Sequence, residues 1–477
     1  MRLKFRHTLL LPLLLFSSLT AHADKVDDIV IAQLKKRQVP GLSLAIIQGG
    51  KIVKVKGYGV LDKESKAPVT PSTLFQAGSV SKSVAAMGAL SLVEKGQLLL
   101  DEDVNAKLTT WKVPENEFTK QKRVTLRGIL SHTAGLTVHG FGGYPVDAPM
   151  PTLVQVLNGE KPANSPPIRV DILPGTLWRY SGGGYTVMQQ MLLDITGTTF
   201  PEFMQKTVLE PLNMANSTYE QPLSSTKAQE TATGYYPEGK VVKGRWHIYP
   251  EMAAAGLWTT PSDLSRFVIG VQRALSGGEN SVISQAMAKQ MLTVQKEKDG
   301  LGMFLEGKGK ALRFSHNGRD DGFDAVMVGY AETGQGAVIM INANEDSSMM
   351  PRILETIAKE YHWLEYPMQP TYKPIPDKEP KVTALIKGFF LQAAEGKFNK
   401  DMFAPQLAEN IAEGLKGGLK DYFHKMGQIQ SLVLVERKNE EKKRLYRYRL
   451  SYKDKMFLVL CVFDKEDKIE GLQLEPD

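Results

Sequence analysis

Phe75-Gln76-Ala77-Gly78-Ser79-Val80-Ser81-Lys82 joins an apolar, strand-like stretch to a run in which Val80, Val84, Met87, Leu90, Leu92 and Val93 recur at roughly helical spacing, until Gly96 stops it. The spacing predicts a helix over 79–94 that Ser79 opens, with Lys82 one turn later on the same face. A hydroxyl at neutral pH is a weak nucleophile and needs a base, and a lysine desolvated among apolar or cationic neighbours can take its proton. The helix N-terminus adds unpaired amides and a positive dipole end. By composition alone, a chain of 477 residues holds about two or three Ser-x-x-Lys. The bland reading of any one of them is a capping serine beside a solvated lysine.

Two further blocks change that reading. Pro174-Gly175-Thr176-Leu177-Trp178-Arg179-Tyr180-Ser181-Gly182-Gly183-Gly184-Tyr185 lies downstream, and Phe314-Ser315-His316-Asn317-Gly318 precedes a strand-like stretch from Phe323 to Tyr330. In order and spacing the three blocks resemble the serine β-lactamase and penicillin-binding-protein superfamily. The resemblance is closest to its class C β-lactamase-like branch, with D-Ala-D-Ala carboxypeptidase, D-aminopeptidase and carboxylesterase relatives. It extends to Val39-Pro40-Gly41-Leu42-Ser43-Leu44-Ala45, Ile129-Leu130-Ser131-His132-Thr133-Ala134-Gly135-Leu136, Leu209-Glu210-Pro211-Leu212-Asn213-Met214 and the run Ala255 to Leu264, about three quarters of the chain.

The resemblance implies roles. Ser79 is expected to be the acyl-accepting nucleophile, Lys82 its activating amine, and Tyr180 the phenol that shuttles a proton between nucleophile and leaving group. Since a phenol has a pKa near 10, Lys82 is expected to supply the positive charge that lets it serve. His316-Asn317-Gly318 matches the third motif, where a cation or polar donor faces a substrate carboxylate, and histidine is charged only part of the time at neutral pH. Gly318 is expected to admit substrate close to the strand. The amide of Arg319 is expected to join that of Ser79 as an oxyanion hole, while its guanidinium is either a bidentate carboxylate binder or solvated. One position departs from the pattern: Gly182 stands where the family has an asparagine that holds the acyl-amide carbonyl. The run Gly182-Gly183-Gly184 leaves room for a backbone N–H to replace that donor. The loss touches recognition of peptides and β-lactams more than catalysis.

Other chemistries find little support. His132 and His139 raise a Ser-His-Asp triad, but no Gly-x-Ser-x-Gly elbow surrounds any serine, and His132 is expected to fix the turn before Thr133-Ala134-Gly135. The chain lacks His-Glu-x-x-His and has one cysteine, Cys461, so neither a metal nor another cofactor is expected.

Arg2, Lys4 and Arg6, the apolar run Leu9 to Phe16 and Ala21-His22-Ala23 read as a signal peptide over 1–23, with cleavage expected before Asp24 and a periplasmic or secreted product. No cysteine follows the cut and no later apolar run reaches about 20 residues, so no membrane anchor is expected. Net charge is +7, and loss of the three basic residues lowers it to +4, too little to point to nucleic acid.

The expected fold class is α/β: an antiparallel sheet flanked by helices, built from both ends of residues 24–365 and clamping an all-α subdomain. A helix is expected over Val26 to Arg37 and strands at Leu42 to Ile47, Ile52 to Tyr58, Leu312 to Ser315, Phe323 to Tyr330 and Ala337 to Asn342. Five prolines mark 366–380 as a semi-rigid linker. Residues 381–477 read as an α+β domain: a helix carrying Leu385, Phe389, Phe390 and Ala393, mixed helix from Phe403 to Met426, then four strands. This order resembles, in pattern only, the nuclear transport factor 2 type. Tyr446, Tyr448 and Tyr452 there read as a packing ladder before a ligand pocket. Together these features predict a secreted acyl-enzyme serine hydrolase of D-amino-acid wall peptides or β-lactams. A carboxylesterase of small esters is the first alternative, and a silent binding protein acting through its C-terminal domain the second. The expected partners are small-molecule or peptide substrates, cell-wall fragments among them.

Overall fold

The computed structural model describes residues 24–476 apart from 280, 346–347, 368–371, 441–442 and 454. The expected signal segment and part of the linker therefore lie outside the described residues. Helix α1 (Lys25–Arg37) begins where the Asp24 carboxylate accepts from the Val26 amide, with Asp27 and Asp28 in its first turn and Lys35, Lys36 and Arg37 in its last. Both charge clusters suit the helix dipole. Strands β1 (Gly41–Gln48) and β2 (Lys51–Gly59) form a hairpin through Gly49 and Gly50, whose φ values of 57° and 70° suit the tight turn.

Strands β3 (Phe304–Glu306), β4 (Arg313–Asp320), β5 (Phe323–Tyr330) and β6 (Gly336–Ile341) complete a six-stranded antiparallel sheet of order β2-β1-β6-β5-β4-β3. The two ends of the unit meet inside it where β1 pairs with β6, with Leu42 opposite Ile341 and Ile47 opposite Gly336. Every residue of β5 and β6 is buried, because helices cover both faces. On one face α1 and helix α6 (Met349–Glu360) pack Val30, Ile353 and Ile357 on Leu44, Val328 and Ile339. On the other, helix α5 (Pro261–Leu275) lays Leu264, Phe267 and Val271 on Met327, Val338 and Met340. That core runs without a break into the helical half, built on α2 (Ser81–Glu94) and α3 (Gly182–Thr196).

Two elements differ from expectation. Helix α2 is buried at every position from Ser81 to Leu92, and Ser79 itself sits in the 3-10 turn Gly78–Val80 that leads into it. Strand β4 reaches Asp320 instead of stopping at Ser315, so His316-Asn317-Gly318 lies on the strand. Strand β3 pairs only with Arg313–Ser315, and from His316 onward β4 is the edge of the sheet.

The C-terminal residues form a separate core. Helices α7 (Pro380–Ala394), α8 (Pro405–Gly414) and α9 (Lys420–Lys425) precede an antiparallel meander of β7 (Ser431–Glu440), β8 (Lys443–Ser451), β9 (Met456–Phe463) and β10 (Ile469–Pro476). Phe389, Phe390, Phe423, Tyr446, Tyr448 and the lone Cys461 are buried together. The rings of Tyr446 and Tyr448 stack at 6.4 Å. Their hydroxyls bond Glu379 and Thr383 at the start of α7, which is packing rather than a ligand pocket. The linker is tied to this core, with the Ile375 amide donating to the Leu434 carbonyl and Arg449 donating to that of Tyr372.

Candidate active site

The turn Gly78–Val80 rests directly on the edge strand β4, and two glycines make that contact possible. A Cβ at Gly318 would lie 1.9 Å from the Ala77 carbonyl oxygen, and one at Gly78 would lie 2.4 Å from the Arg319 amide nitrogen. Any side chain at either position would lift the turn off the strand. The turn and the strand therefore meet backbone to backbone, and the amides of Ser79 and Arg319 come to the same seam.

Helix α2 carries Lys82 beneath Ser79. Its Nζ lies 2.9 Å from Ser79 Oγ and 2.8 Å from the carbonyl oxygen of Ala254, which belongs to the short helix α4 (Met252–Ala255). Lys82 is buried, and desolvation lowers its pKa to about 7, against a pull upward from Asp320. An amine in that state accepts a proton near neutrality. Tyr180 lies with its ring 5.0 Å from Lys82 Nζ and its hydroxyl in hydrogen-bond contact with Ser79. Burial pushes the phenol well above its usual value despite that bond. The expectation that Lys82 lends Tyr180 positive charge is therefore qualified: burial lowers Lys82 until it is only partly charged near neutrality, and keeps Tyr180 protonated. A protonated phenol is a relay and donor, not a base.

Tyr180 is held by residues whose part the sequence did not reveal. The imidazole of His132 stacks 4.2 Å from the phenol ring, and His139 lies on it at 4.8 Å. His132 Nδ1 accepts from the Ser181 amide, and burial drives its pKa well below the usual value. It is a neutral shelf for Tyr180, not a general base, with φ at 57° in the turn it was expected to fix. The block Ser131-His132-Thr133 was the only signal for this, and spacing alone did not tie it to Tyr180.

The Gly182 region corrects a second expectation. Its amide donates to the His139 carbonyl, that of Gly183 to Val138, and that of Gly184 to the Ser181 hydroxyl. All three N–H groups are committed, so none stands in for the missing asparagine donor. A Cβ at Gly182 would meet the His139 carbonyl oxygen at 3.0 Å and the Phe141 ring at 3.2 Å. The loop around His139–Phe141 occupies the space an asparagine would need.

The third motif is uncharged. His316 is buried, and desolvation, helped by Lys82, lowers its pKa to about 3. Its Nδ1 lies 2.6 Å from the Asn317 carbonyl oxygen, so Nδ1 carries the proton and Nε2 is an acceptor. The Arg319 guanidinium is clamped to Asp324 by a bidentate pair, Nε to Oδ1 at 2.6 Å and a terminal nitrogen to Oδ2 at 2.7 Å, and also donates to the Glu345 carbonyl. It is committed to these partners while its side chain stays about half exposed. Of the predicted residues, Ser79, Lys82, Tyr180, His316, Gly318 and the Arg319 backbone converge on one cleft of about 740 Å³. Gly182 stays behind its wall. Phe141, Trp178 and Phe304 give the cleft an aromatic side.

The family model Beta-lactamase matches residues 26–360. The chain belongs to the beta-lactamase family. Among curated relatives, Protein flp of Staphylococcus aureus (strain N315) is 24% identical over 340 residues, 69% of this chain and 65% of that protein. The Beta-lactamase of Pseudomonas fluorescens is 29% identical over 251 residues, 51% of this chain and 63% of that protein. The chain thus spans less than two thirds of the length of these relatives. Among solved structures, the octameric penicillin-binding protein homologue from Pyrococcus abyssi superposes with a TM-score of 0.59 at 19% identity, covering 95% of this chain and 98% of that one. The D-alanine carboxypeptidase AmpC from Burkholderia cenocepacia gives 0.56 at 20%, covering 71% and 99%. A class C beta-lactamase variant gives 0.56 at 22%, covering 71% and 96%. The mixed α/β fold with an antiparallel sheet flanked by helices is the one that these proteins share.

Proposed function

We propose that this family member is an acyl-enzyme serine hydrolase whose acyl donors carry no carboxylate against β4, carboxylic esters first among them. The observation that carries the reading is charge. The cationic side chains lining the described cleft are largely engaged: Arg313 pairs with Glu306 at 2.7 Å, with Lys298 3.9 Å from the same carboxylate, Arg319 is clamped to Asp324, and Lys82 is within the field of Asp320. His316 is neutral. A substrate carboxylate entering here meets cations already engaged by acids, only the exposed Lys298 being loosely held, and its desolvation costs several kcal/mol.

In this reading Ser79 Oγ attacks the acyl carbonyl and its proton passes to Lys82. The amides of Ser79 and Arg319 hold the oxyanion, and Tyr180 hands a proton to the leaving alkoxide. An ester tolerates the missing asparagine donor better than an amide does, because its leaving group needs less help. The wall-peptide and β-lactam reading ranks second. It is supported by what the related structures are called, against the charge of this cleft. Residues 1–23 carry the pattern of a cleaved export signal, and we place the enzyme outside the cytoplasm on that ground.

The test is steady-state turnover of p-nitrophenyl acetate beside a peptide ending in D-Ala-D-Ala and its C-terminal amide, each with Ser79→Ala as control. Ester turnover that depends on Ser79, with the free-acid peptide no better than its amide, is expected. A clear preference for the free acid would overturn the reading.

A further inference from the structure

Two buried carboxylates, Asp320 and Glu251, are not used by the reaction above. Asp320 is the last residue of β4, two positions beyond Gly318 on the same face, and is 3% exposed. It lines the same cleft as Lys82, Ala254 and Ala255. Glu251, at the start of α4, is fully buried. None of their four carboxylate oxygens makes a side-chain hydrogen bond, although buried acids are ordinarily bonded. The arrangement brings a buried acid, Asp320, into the same cleft as a buried amine.

We propose that Asp320 is a positioning carboxylate for Lys82: lining the same cleft as the amine, it stabilises the ammonium formed when Lys82 takes the Ser79 proton. In that step the Ser79 O–H bond breaks and an N–H bond forms on Lys82, while Oγ bonds the electrophile and the carbonyl electron pair becomes the oxyanion. The proposal rests on reading Ser79 and Lys82 as nucleophile and base.

The groups around the pair set the sign. Lys82 is faced by Ser79, by the Ala254 carbonyl, by the rings of Tyr180 and Tyr185 at 5.0 and 5.8 Å, and by the neutral imidazoles of His132 and His316. Asp320 is the one acid that raises its pKa. Asp320 is faced by Lys82 and the Gly78 amide, which favour its charge, and by Asp321, Glu251 and burial, which disfavour it. Burial moves the amine down and the carboxyl up, so the two compete for a proton and titrate as a pair. Removing the carboxylate leaves Lys82 easier to deprotonate and a weaker base.

The experiment is the second-order rate of Ser79 labelling by a fluorophosphonate, read by intact mass from pH 5 to 10, which needs no knowledge of the natural substrate. In Asp320→Asn the acid limb is expected to move about one unit toward lower pH, while the plateau falls about three- to tenfold. Asp320→Glu keeps the charge and is expected to keep the limb. If D320N does not melt cooperatively, the same profile is read on Asp320→Ser. A lower plateau with an unmoved limb would mean a merely structural residue and overturn the proposal. No label on the wild type would overturn the reading of Ser79 itself.

Discussion

Lys82 and Glu251 show how burial alone writes chemistry onto ordinary residues. Because the Lys82 amine is held near 7, Ser79 acylation is expected to rise through neutral pH to a plateau. Lys82→Ala should cut the fluorophosphonate labelling rate about 10²–10⁴-fold, and an unchanged rate would exclude Lys82 as base. Glu251 has the opposite sign. Burial raises its pKa from 4.5 to about 8, so between those values the folded chain holds a proton that the unfolded chain has lost. Stability therefore falls as pH rises through that window. Glu251→Gln should flatten the decline of Tm from pH 5 to 9 and melt higher than wild type at pH 9. A wild-type slope in the variant would show that Glu251 ionises freely in the fold. That Ser79, Lys82 and Tyr180 come together was legible in the sequence because three blocks resemble a family's motifs in order and spacing. His132, Asp320 and Glu251 were not, since their effect comes from what surrounds them in space, and no local pattern records burial or a missing partner.

The active-site elements are held by backbone contact, which makes two glycines testable. Gly318→Ala puts a methyl group 1.9 Å from the Ala77 carbonyl oxygen, a clash that only moving the turn can relieve. It should slow acylation more than about 100-fold, read by the same labelling assay beside a circular dichroism spectrum that stays native. Gly182→Asn restores the family residue type but sets its Cβ against His139 and Phe141. A lower Tm and no gain in hydrolysis of an amide substrate are expected, and faster amide turnover would show that the loop yields to the side chain. At this scale the hairpin β1–β2 could be read from Gly49-Gly50 and α1 from the pattern of Val26 to Arg37. The extent of β4 could not, because Ser315, Asn317 and Arg319 are polar at its outward positions and a half-exposed edge strand of that kind resembles a loop. Helix α2 was placed correctly but for a partial reason: it is buried all round, so its apolar period is diluted by Ser81, Ser83 and Gly88, which are buried as well.

Across the whole chain, the buried clusters of the catalytic unit draw on no residue beyond Tyr366, and the C-terminal cluster draws on none before Val382. A fragment of residues 24–367 is therefore expected to melt cooperatively and to label at Ser79 at the full-length rate. Loss of labelling in a folded fragment would make the C-terminal core part of the working site. The division was legible in the prolines after Tyr366, whereas the anchoring of the linker to β7 was not, because it runs through the backbone groups of Tyr372 and Ile375. The pairing of β1 with β6 carries a further consequence. A chain made from its N-terminus leaves β1 without its inner neighbour until residue 341 has been added, and at about 5–20 residues per second that is an interval of tens of seconds. Through that time β1, an inner strand of the sheet, has no partner on one side, and closure awaits contacts far apart along the chain, the slow kind. Closure of the sheet thus follows synthesis instead of accompanying it.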